Sequence, residues 1–274
     1  MYDCFKWTTA SLRRNRLTQE YEPLQPFFLR ALAERTGCET FVDIGANIGA
    51  YSLFATLVPT VRRVIAFEAD RGTAEELDRN VVLNGLERHI EVQSLAISDA
   101  VGVLTFGHVG YLSGANSVIA TSIHNSTRFH DEYPVESTTL DDFFASRSLG
   151  AVALKVDVEG HELAVLNGGS CMLQQHPSIV QIEYYEESGD QTRKRLRHLG
   201  FKQITAIGPD HYFTNIEALQ APSAIIEIYE RAVAQMIAYY HRDQPLVLQR
   251  GHFRLELGGK GANVVRRLSR LVRR

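Results

Sequence analysis

The alternation of short apolar runs with amphipathic stretches is the feature that most restricts the fold of this 274-residue chain. Apolar runs of strand length occupy residues 40–44, 61–67, 90–97, 151–158 and 179–184, and helix-like patterns lie between them. Parallel strands need crossover connections, which are usually helical. The alternation therefore predicts an α/β protein with a doubly wound, mostly parallel sheet.

Further segments complete the predicted sheet. Residues 201–207 and 211–214 form a hairpin-like pair, which predicts an antiparallel edge and a total of seven strands. Residues 101–106 are expected to add an extra edge strand. The polar segment 107–134 has little periodicity, and a loop of that length typically covers a binding site. A helix is predicted over 222–240.

This pattern divides the chain into three regions. We predict an N-terminal helical extension over 1–36, a catalytic sheet domain over 37–218, and a C-terminal helical and basic extension over 219–274. From residue 250 onward the last region carries eight basic residues against one acid. Such a terminal stretch is more often solvated or packed on its own domain than bound to a membrane surface, although contact through 262–274 stays open.

Composition excludes several classes of protein. A net charge of −3 gives no general attraction to nucleic acid. The three cysteines form no C-x-x-C pair, which argues against a disulfide scaffold or a structural zinc site. The N-terminus has no apolar signal core, and no apolar run reaches the ~18 residues of a membrane span. A cytoplasmic protein is therefore expected.

The loop after the first central strand carries two glycines and an acid. Gly45 allows a tight turn and Gly49 a close helix start, as in dinucleotide-binding loops. In those loops a middle glycine lets the backbone approach a pyrophosphate. Here Asn47 replaces that glycine, and an acid, Asp43, stands at the end of the preceding strand. A carboxylate there opposes a phosphate and favours a ligand with an ammonium and a sulfonium. S-adenosylmethionine carries both charges.

A second acid, Glu68, ends the next strand. An acid at this place in a nucleotide-binding sheet accepts hydrogen bonds from ribose hydroxyls. Both acids could instead stabilise helix N-termini. Binding is favoured because acids and glycines meet at one edge of adjacent strands.

These residues strongly resemble the FkbM family of methyltransferases. The matching blocks, which span about residues 40 to 185, are Val42-Asp-Ile-Gly-Ala-Asn-Ile-Gly-Ala-Tyr-Ser52, Phe67-Glu68 with Asn80-Val-Val-Leu-Asn-Gly85, Ala96-Ile-Ser-Asp99, and Lys155-Val-Asp-Val-Glu-Gly-His-Glu162. The last block is specific, whereas the first is shared widely among class I methyltransferases. The resemblance implies a Rossmann-like fold, S-adenosylmethionine as cofactor, and O-methylation of a glycan or secondary metabolite. Ala69 departs from the family, which commonly has proline there.

The resemblance also implies a set of site residues. The predicted cofactor contacts, with residues 95 and 96 beside the adenine, are Asp43, Gly45, Ala46, Asn47, Gly49, Tyr51, Ser52, Glu68, Leu95, Ala96 and Asp157. The predicted catalytic residues are Lys155, Asp157, Glu159 and His161.

The catalytic segment breaks the apolar pattern of a central parallel strand. A Lys155–Asp157 pair is the simplest structural explanation of its charges. A hydroxyl acceptor must also lose its proton, and His161 and Asp157 are equal candidates for the base. Asp157 is a candidate for the cofactor's ammonium as well. A metal held by Asp157, Glu159, His161 and Glu183 is an alternative, but the spacing is a weak metal signal and no metal is predicted.

Other functions stay open at this point. An NAD(P)-dependent oxidoreductase is disfavoured by the missing middle glycine. A nucleic-acid methyltransferase is disfavoured because the chain has no Asn/Asp-Pro-Pro-aromatic block. A non-catalytic nucleotide-binding module with a basic docking tail is a third possibility. The acceptor itself cannot be read from the sequence.

Overall fold

The computed structural model describes residues 5–11, 22–110, 113–119, 129–184 and 186–240, apart from the side chains of 186–188 and 240. Its strands, in chain order, are β1 (Thr40–Ile44), β2 (Arg63–Phe67), β3 (Ile90–Gln93), β4 (Ala96–Ile97), β5 (Gly102–His108), β6 (Ser117–Val118), β7 (Asp131–Thr138), β8 (Val152–Val156), β9 (Ser178–Glu183), β10 (Lys202–Ile207) and β11 (Asp210–Thr214). Its helices are α1 (Gln25–Thr36), α2 (Ala50–Ala55), α3 (Arg71–Leu83), α4 (Leu140–Phe144), α5 (Glu162–Gly168), α6 (Ser170–Gln175), α7 (Glu186–His198) and α8 (Pro222–Tyr240).

Seven strands form the central sheet in the order β3-β2-β1-β8-β9-β11-β10. The first five strands of this order run parallel, and β11 is antiparallel to both of its neighbours. This confirms the predicted doubly wound sheet with an antiparallel edge. In the sheet, β2 lies on one side of β1, and β8, which comes later in the chain, lies on the other side of β1. The carboxyl ends of β1 and β8 therefore flank a topological switch point, where open α/β sheets bind ligands.

The sheet is buried on both faces. Every residue of β1, β8 and β9 is buried, as their apolar sequences require for parallel strands covered by helices. One core lies between the sheet and helices α1, α2, α3 and α8. The other lies beneath α4, α5, α6 and α7.

Helices near the two ends of the described chain pack on the same face. The Phe28 ring of α1 lies 4.4 Å from the Tyr229 ring of α8, measured between centroids. An ion pair joins Glu34 and Arg231 of the same two helices. The predicted helix over 222–240 is confirmed with the bounds given above, whereas the basic tail at 250–274 lies outside the described residues. No described helix is both long and apolar enough to cross a membrane.

A second, four-stranded sheet corrects two predictions from the sequence. Its order is β4-β7-β5-β6. The segment 101–106 therefore does not extend the edge of the central sheet, and the strand predicted over 90–97 divides between the two sheets. The physical reason is a separate small core, in which Phe106, Val118 and Val135 pack together with Ala96. We call this element the small sheet.

Candidate active site

A cavity of about 310 Å³ lies at the carboxyl ends of β1, β2 and β8. This volume is within the range of small-molecule sites. The segment 107–134 was expected to cover a binding site, and its described part contributes four residues to the wall: Ser113, Gly114, Asn116 and Val118. The predicted site residues that line the cavity are Gly45, Asn47, Glu68, Leu95, Ala96, Asp157, Glu159 and His161.

The loop after β1 can only approach β8 because Gly45 has no side chain. A Cβ atom at this position would lie 1.8 Å from the backbone oxygen of Asp157, and the glycine has a φ of 77°. The backbone N–H groups of Gly45 and Ala46 both donate to the carbonyl oxygen of Phe67, at 3.0 and 2.9 Å. The loop is thereby fixed against the ends of both neighbouring strands.

Glu68 is held on the cavity wall by two backbone amides. Its Oε2 accepts a hydrogen bond from the N–H of Asn47 at 2.8 Å, and its Oε1 accepts one from the N–H of Asp70 at 2.9 Å. Burial raises the pKa of this carboxyl to about 7. Each oxygen keeps a further lone pair. The arrangement suits a ligand that presents two neighbouring hydroxyl groups.

Five predicted cofactor contacts do not line the cavity, namely Asp43, Ala46, Gly49, Tyr51 and Ser52. Asp43 is almost fully buried, and its Oδ2 accepts a hydrogen bond from the Ser52 hydroxyl at 2.6 Å. Burial raises the pKa of Asp43 to about 6, against the opposing effect of Lys155. These five residues are not on the cavity wall, and their assignment as cofactor contacts stays a prediction.

Lys155 and Asp157 form the ion pair that the sequence suggested. The Lys155 ammonium lies 2.7 Å from Asp157 Oδ2 and 4.7 Å from the centroid of the Tyr51 ring. Burial lowers the pKa of Lys155, but the carboxylates around it, Asp157 first, raise it above its usual range. Lys155 therefore stays charged and holds Asp157, rather than lining the cavity itself.

Glu159 and His161 follow on the same segment. Glu159 has a left-handed backbone with φ of 54°, and burial together with neighbouring acids raises its pKa to about 8. The Nε2 atom of His161 lies 2.9 Å from the Ser98 hydroxyl, and burial lowers the pKa of this imidazole. The imidazole is therefore neutral at physiological pH, while the Glu159 carboxyl titrates near it.

Hydrogen bonds of Asp70 connect the small sheet and its loop to the region beside the cavity. Its Oδ2 accepts hydrogen bonds from the Tyr133 hydroxyl at 2.6 Å and from Asn116 Nδ2 at 3.3 Å. Its Oδ1 accepts from the N–H of Thr73 at 2.7 Å, so the same carboxylate caps α3. One side chain thus joins the helix after β2 to the sheet that closes the site.

A network of polar residues behind the Lys155–Asp157 pair was missed from the sequence. Glu22 accepts a hydrogen bond from the Tyr51 hydroxyl at 2.6 Å. The side-chain amide of Gln181 donates to that hydroxyl at 3.0 Å and to Asp210 Oδ1 at 2.7 Å. The polar residues Gln181 and Glu183 on the otherwise apolar strand β9 could have indicated this network from the sequence. Nothing in the sequence near residue 22 indicated a role in the site.

The alternative metal set predicted from the sequence is only partly brought together. Among the described residues, the group of three or more possible metal ligands whose atoms all lie within 4.8 Å of one another consists of Glu22, Glu183 and Asp210. Glu183 is the one member of the predicted set, Asp157, Glu159, His161 and Glu183, that belongs to this group.

The sheet order and the acid-lined cavity at its switch point define a Rossmann-like fold of the methyltransferase type. Residues 43–202 match the family model described as the methyltransferase FkbM domain. This match covers more than half of the chain, which therefore belongs to the FkbM family of methyltransferases.

Individual relatives are more distant. The methyltransferase sdnD of Sordaria araneosa is 28% identical over 177 aligned residues, which cover 54% of this chain and 67% of that protein. An FkbM methyltransferase structure from Methylobacillus flagellatus is 21% identical with a TM-score of 0.43, and the match covers 65% of this chain but only 43% of that one. A SAM-dependent O-methyltransferase structure from Thermotoga maritima is 12% identical with a TM-score of 0.40, covering 70% and 64%.

Replacing Gly45 by alanine tests the close contact beneath the cavity. The added methyl group meets a backbone oxygen at a position with positive φ, so we expect a loss of about 2 kcal/mol or more in the free energy of unfolding. Urea denaturation measures this loss. Gly102→Ala is the matched control, because nothing lies within 4 Å of its Cβ position. Equal unfolding midpoints for Gly45→Ala and the wild type would contradict the contact.

Proposed function

We propose that this methyltransferase binds S-adenosylmethionine in the cavity and methylates a hydroxyl group of a small-molecule or glycan acceptor. The observation that carries the proposal is the carboxylate of Glu68, held by two backbone amides at the switch point of the sheet. Family membership supports the methyl transfer. The choice of a hydroxyl acceptor rests on the chemistry of the site.

The residues that line the cavity fit this cofactor. Glu68 would accept hydrogen bonds from the ribose hydroxyls, and the backbone near Leu95 and Ala96 would contact the adenine. Asp157 would face the methionine ammonium. The carboxylates of Glu68 and Asp157 favour a cationic ligand and oppose a pyrophosphate. The same charges disfavour the oxidoreductase alternative.

Bound S-adenosylmethionine supplies an electrophilic methyl group on a sulfonium that leaves as a neutral thioether. The protein must hold the acceptor oxygen in line with that methyl group, which contributes much of the rate. It must also accept the hydroxyl proton as the oxygen–carbon bond forms. A base on the cavity wall supplies this second requirement.

We favour Glu159 as the base over Asp157 and His161, the two candidates from the sequence. Asp157 is held in an ion pair by the Lys155 ammonium, and burial lowers the pKa of His161, which makes it a weaker base. Glu159 lines the cavity, and its pKa of about 8 is near the value that suits a general base at neutral pH. Its left-handed backbone is the kind of local strain that collects at functional sites.

Calorimetry tests cofactor choice directly. Purified protein should bind S-adenosylmethionine and S-adenosylhomocysteine, and it should not bind NAD or NADP. Glu68→Ala is expected to weaken S-adenosylhomocysteine binding at least tenfold, because two charge-assisted hydrogen bonds are lost. Glu91→Gln, which removes an acid on β3 away from the cavity wall, serves as the control. Unchanged affinity in Glu68→Ala would remove the ribose assignment.

The pKa of Glu68 predicts a pH dependence of adenosyl binding. Only the carboxylate can accept both ribose hydrogen bonds, so affinity should rise as the pH increases through about 7. Between pH 6 and pH 8 the ionised fraction grows about tenfold, and the affinity should follow it. The measurement is calorimetry with 5′-methylthioadenosine, which has no titratable group in this range. A slope that persists in Glu68→Gln would assign the effect to another group.

Glu159→Gln tests the base. We expect kcat to fall by roughly 10²–10⁴-fold with little change in S-adenosylhomocysteine affinity. Wild-type turnover should rise with pH through about 8, because the base acts only when it is deprotonated. The assay measures transfer from labelled S-adenosylmethionine to a panel of hydroxyl-bearing acceptors. Full turnover by Glu159→Gln, with a large loss in His161→Ala, would assign the base to His161 instead.

A further inference from the structure

Three acids meet at the carboxyl end of β9, outside the wall of the cavity. Carboxylate oxygens of Glu22, Glu183 and Asp210 lie within 4.8 Å of one another, and we call these residues the acid cluster. Glu183 and Asp210 stand directly opposite each other on β9 and β11. They are only 6% and 0% exposed. Like charges placed opposite each other on antiparallel strands destabilise a sheet unless something compensates them.

One oxygen of the acid cluster has no partner. Asp210 Oδ1 accepts a hydrogen bond from Gln181 Nε2 at 2.7 Å. Asp210 Oδ2 is shielded from solvent and has no hydrogen-bond partner within the described part of the chain. Buried carboxylate oxygens are almost always satisfied, so this oxygen points to a ligand that donates to it or coordinates it.

Neighbouring side chains hold two of the three carboxylates in place. The Tyr51 hydroxyl donates to Glu22 Oε2 at 2.6 Å, and Gln181 donates both to that hydroxyl and to Asp210. Hydrogen bonds of this kind orient the carboxylates that bind metal ions. Lys155, whose charge acts on Glu22 and Asp210, is already paired with Asp157.

We propose that the acid cluster binds one hard divalent cation through Glu22, Glu183 and Asp210. Carboxylate oxygens are the preferred ligands of Ca²⁺, Mg²⁺ and Mn²⁺. Three oxygens spread evenly around one Ca²⁺ ion would lie about 4.0–4.5 Å apart, given metal–oxygen distances of about 2.3–2.6 Å. The three carboxylate oxygens lie within 4.8 Å of one another, so little movement would bring them to these distances.

The cation site goes beyond the proposed function and does not depend on it. The acid cluster lies outside the wall of the cavity, and Lys155 pairs with Asp157 on that wall. A cation in the acid cluster would compensate the carboxylates of Glu22, Glu183 and Asp210.

Metal binding can be measured without the acceptor. EDTA-treated protein is titrated with Mn²⁺, and free Mn²⁺ is followed by electron paramagnetic resonance. The wild type should bind one Mn²⁺ per chain, and Asp210→Asn and Glu183→Gln should each weaken binding at least tenfold. The matched control is Glu76→Gln, since Glu76 is also buried but is hydrogen-bonded to Thr8 and Ser11 on another part of the fold. This control should bind Mn²⁺ as the wild type does.

Two results would overturn the cation site. One is wild-type protein that binds no Mn²⁺ and no Ca²⁺ at millimolar concentration. The other is binding that survives unchanged in both cluster variants; if one variant does not fold, the other and the wild-type titration decide. S-adenosylhomocysteine calorimetry in EDTA separates the two proposals. Cofactor binding without Mn²⁺ binding rejects the cation and keeps the proposed function, and the reverse result rejects the function and keeps the cation.

Discussion

A buried ammonium group organises the carboxyl edge of the central sheet. Lys155 is 4% exposed on a strand with no exposed residue, and removing an isolated ion from water costs several kcal/mol. Polar residues of the strands on either side, Asp43 on β1 and Gln181 on β9, stand at the same register as Lys155. The ammonium pairs with Asp157, two residues further along the chain. A polar row across three central strands is thus maintained inside an otherwise apolar sheet.

The position of Asp157 in turn determines how the loop after β1 can run. The N–H of Asp157 donates to the carbonyl oxygen of Ile44 at 3.0 Å, which continues the pairing of β1 and β8 beyond the strands. The backbone oxygen of Asp157 then occupies the space that a side chain at residue 45 would need. The glycine turn is therefore a packing requirement of the ion-paired segment as well as an opening for a ligand. The same turn places the N–H of Asn47 where it donates a hydrogen bond to the Glu68 carboxylate.

Much of this site could be predicted because strand ends in a parallel sheet share one edge. Gly45, Glu68, Asp157 and Glu159 follow apolar runs, so periodicity alone brings them together. Sequence blocks do not tell which face a residue takes: Asp43 is buried and does not line the cavity, and its contact with the cofactor stays a prediction. The local sequence pattern could not predict that Asp210 belongs to a cluster of acids. Its place beside Glu183 depends on the register of two strands that are far apart in the chain. The small sheet was missed for the same reason, since β5 pairs with β7 across a long connection.

Lys155 stands between two acidic regions, and its charge acts on carboxylates in both of them. On one side it holds Asp157 on the cavity wall, and on the other its charge reaches Glu22 and Asp210 of the acid cluster. Removing the ammonium would leave buried carboxylates without compensation on both sides, so loss of activity would follow whether or not Lys155 met a substrate. Its geometry is that of a positioning residue. Under the two proposals, acids on one side of Lys155 would face the cofactor, and acids on the other side would hold the cation.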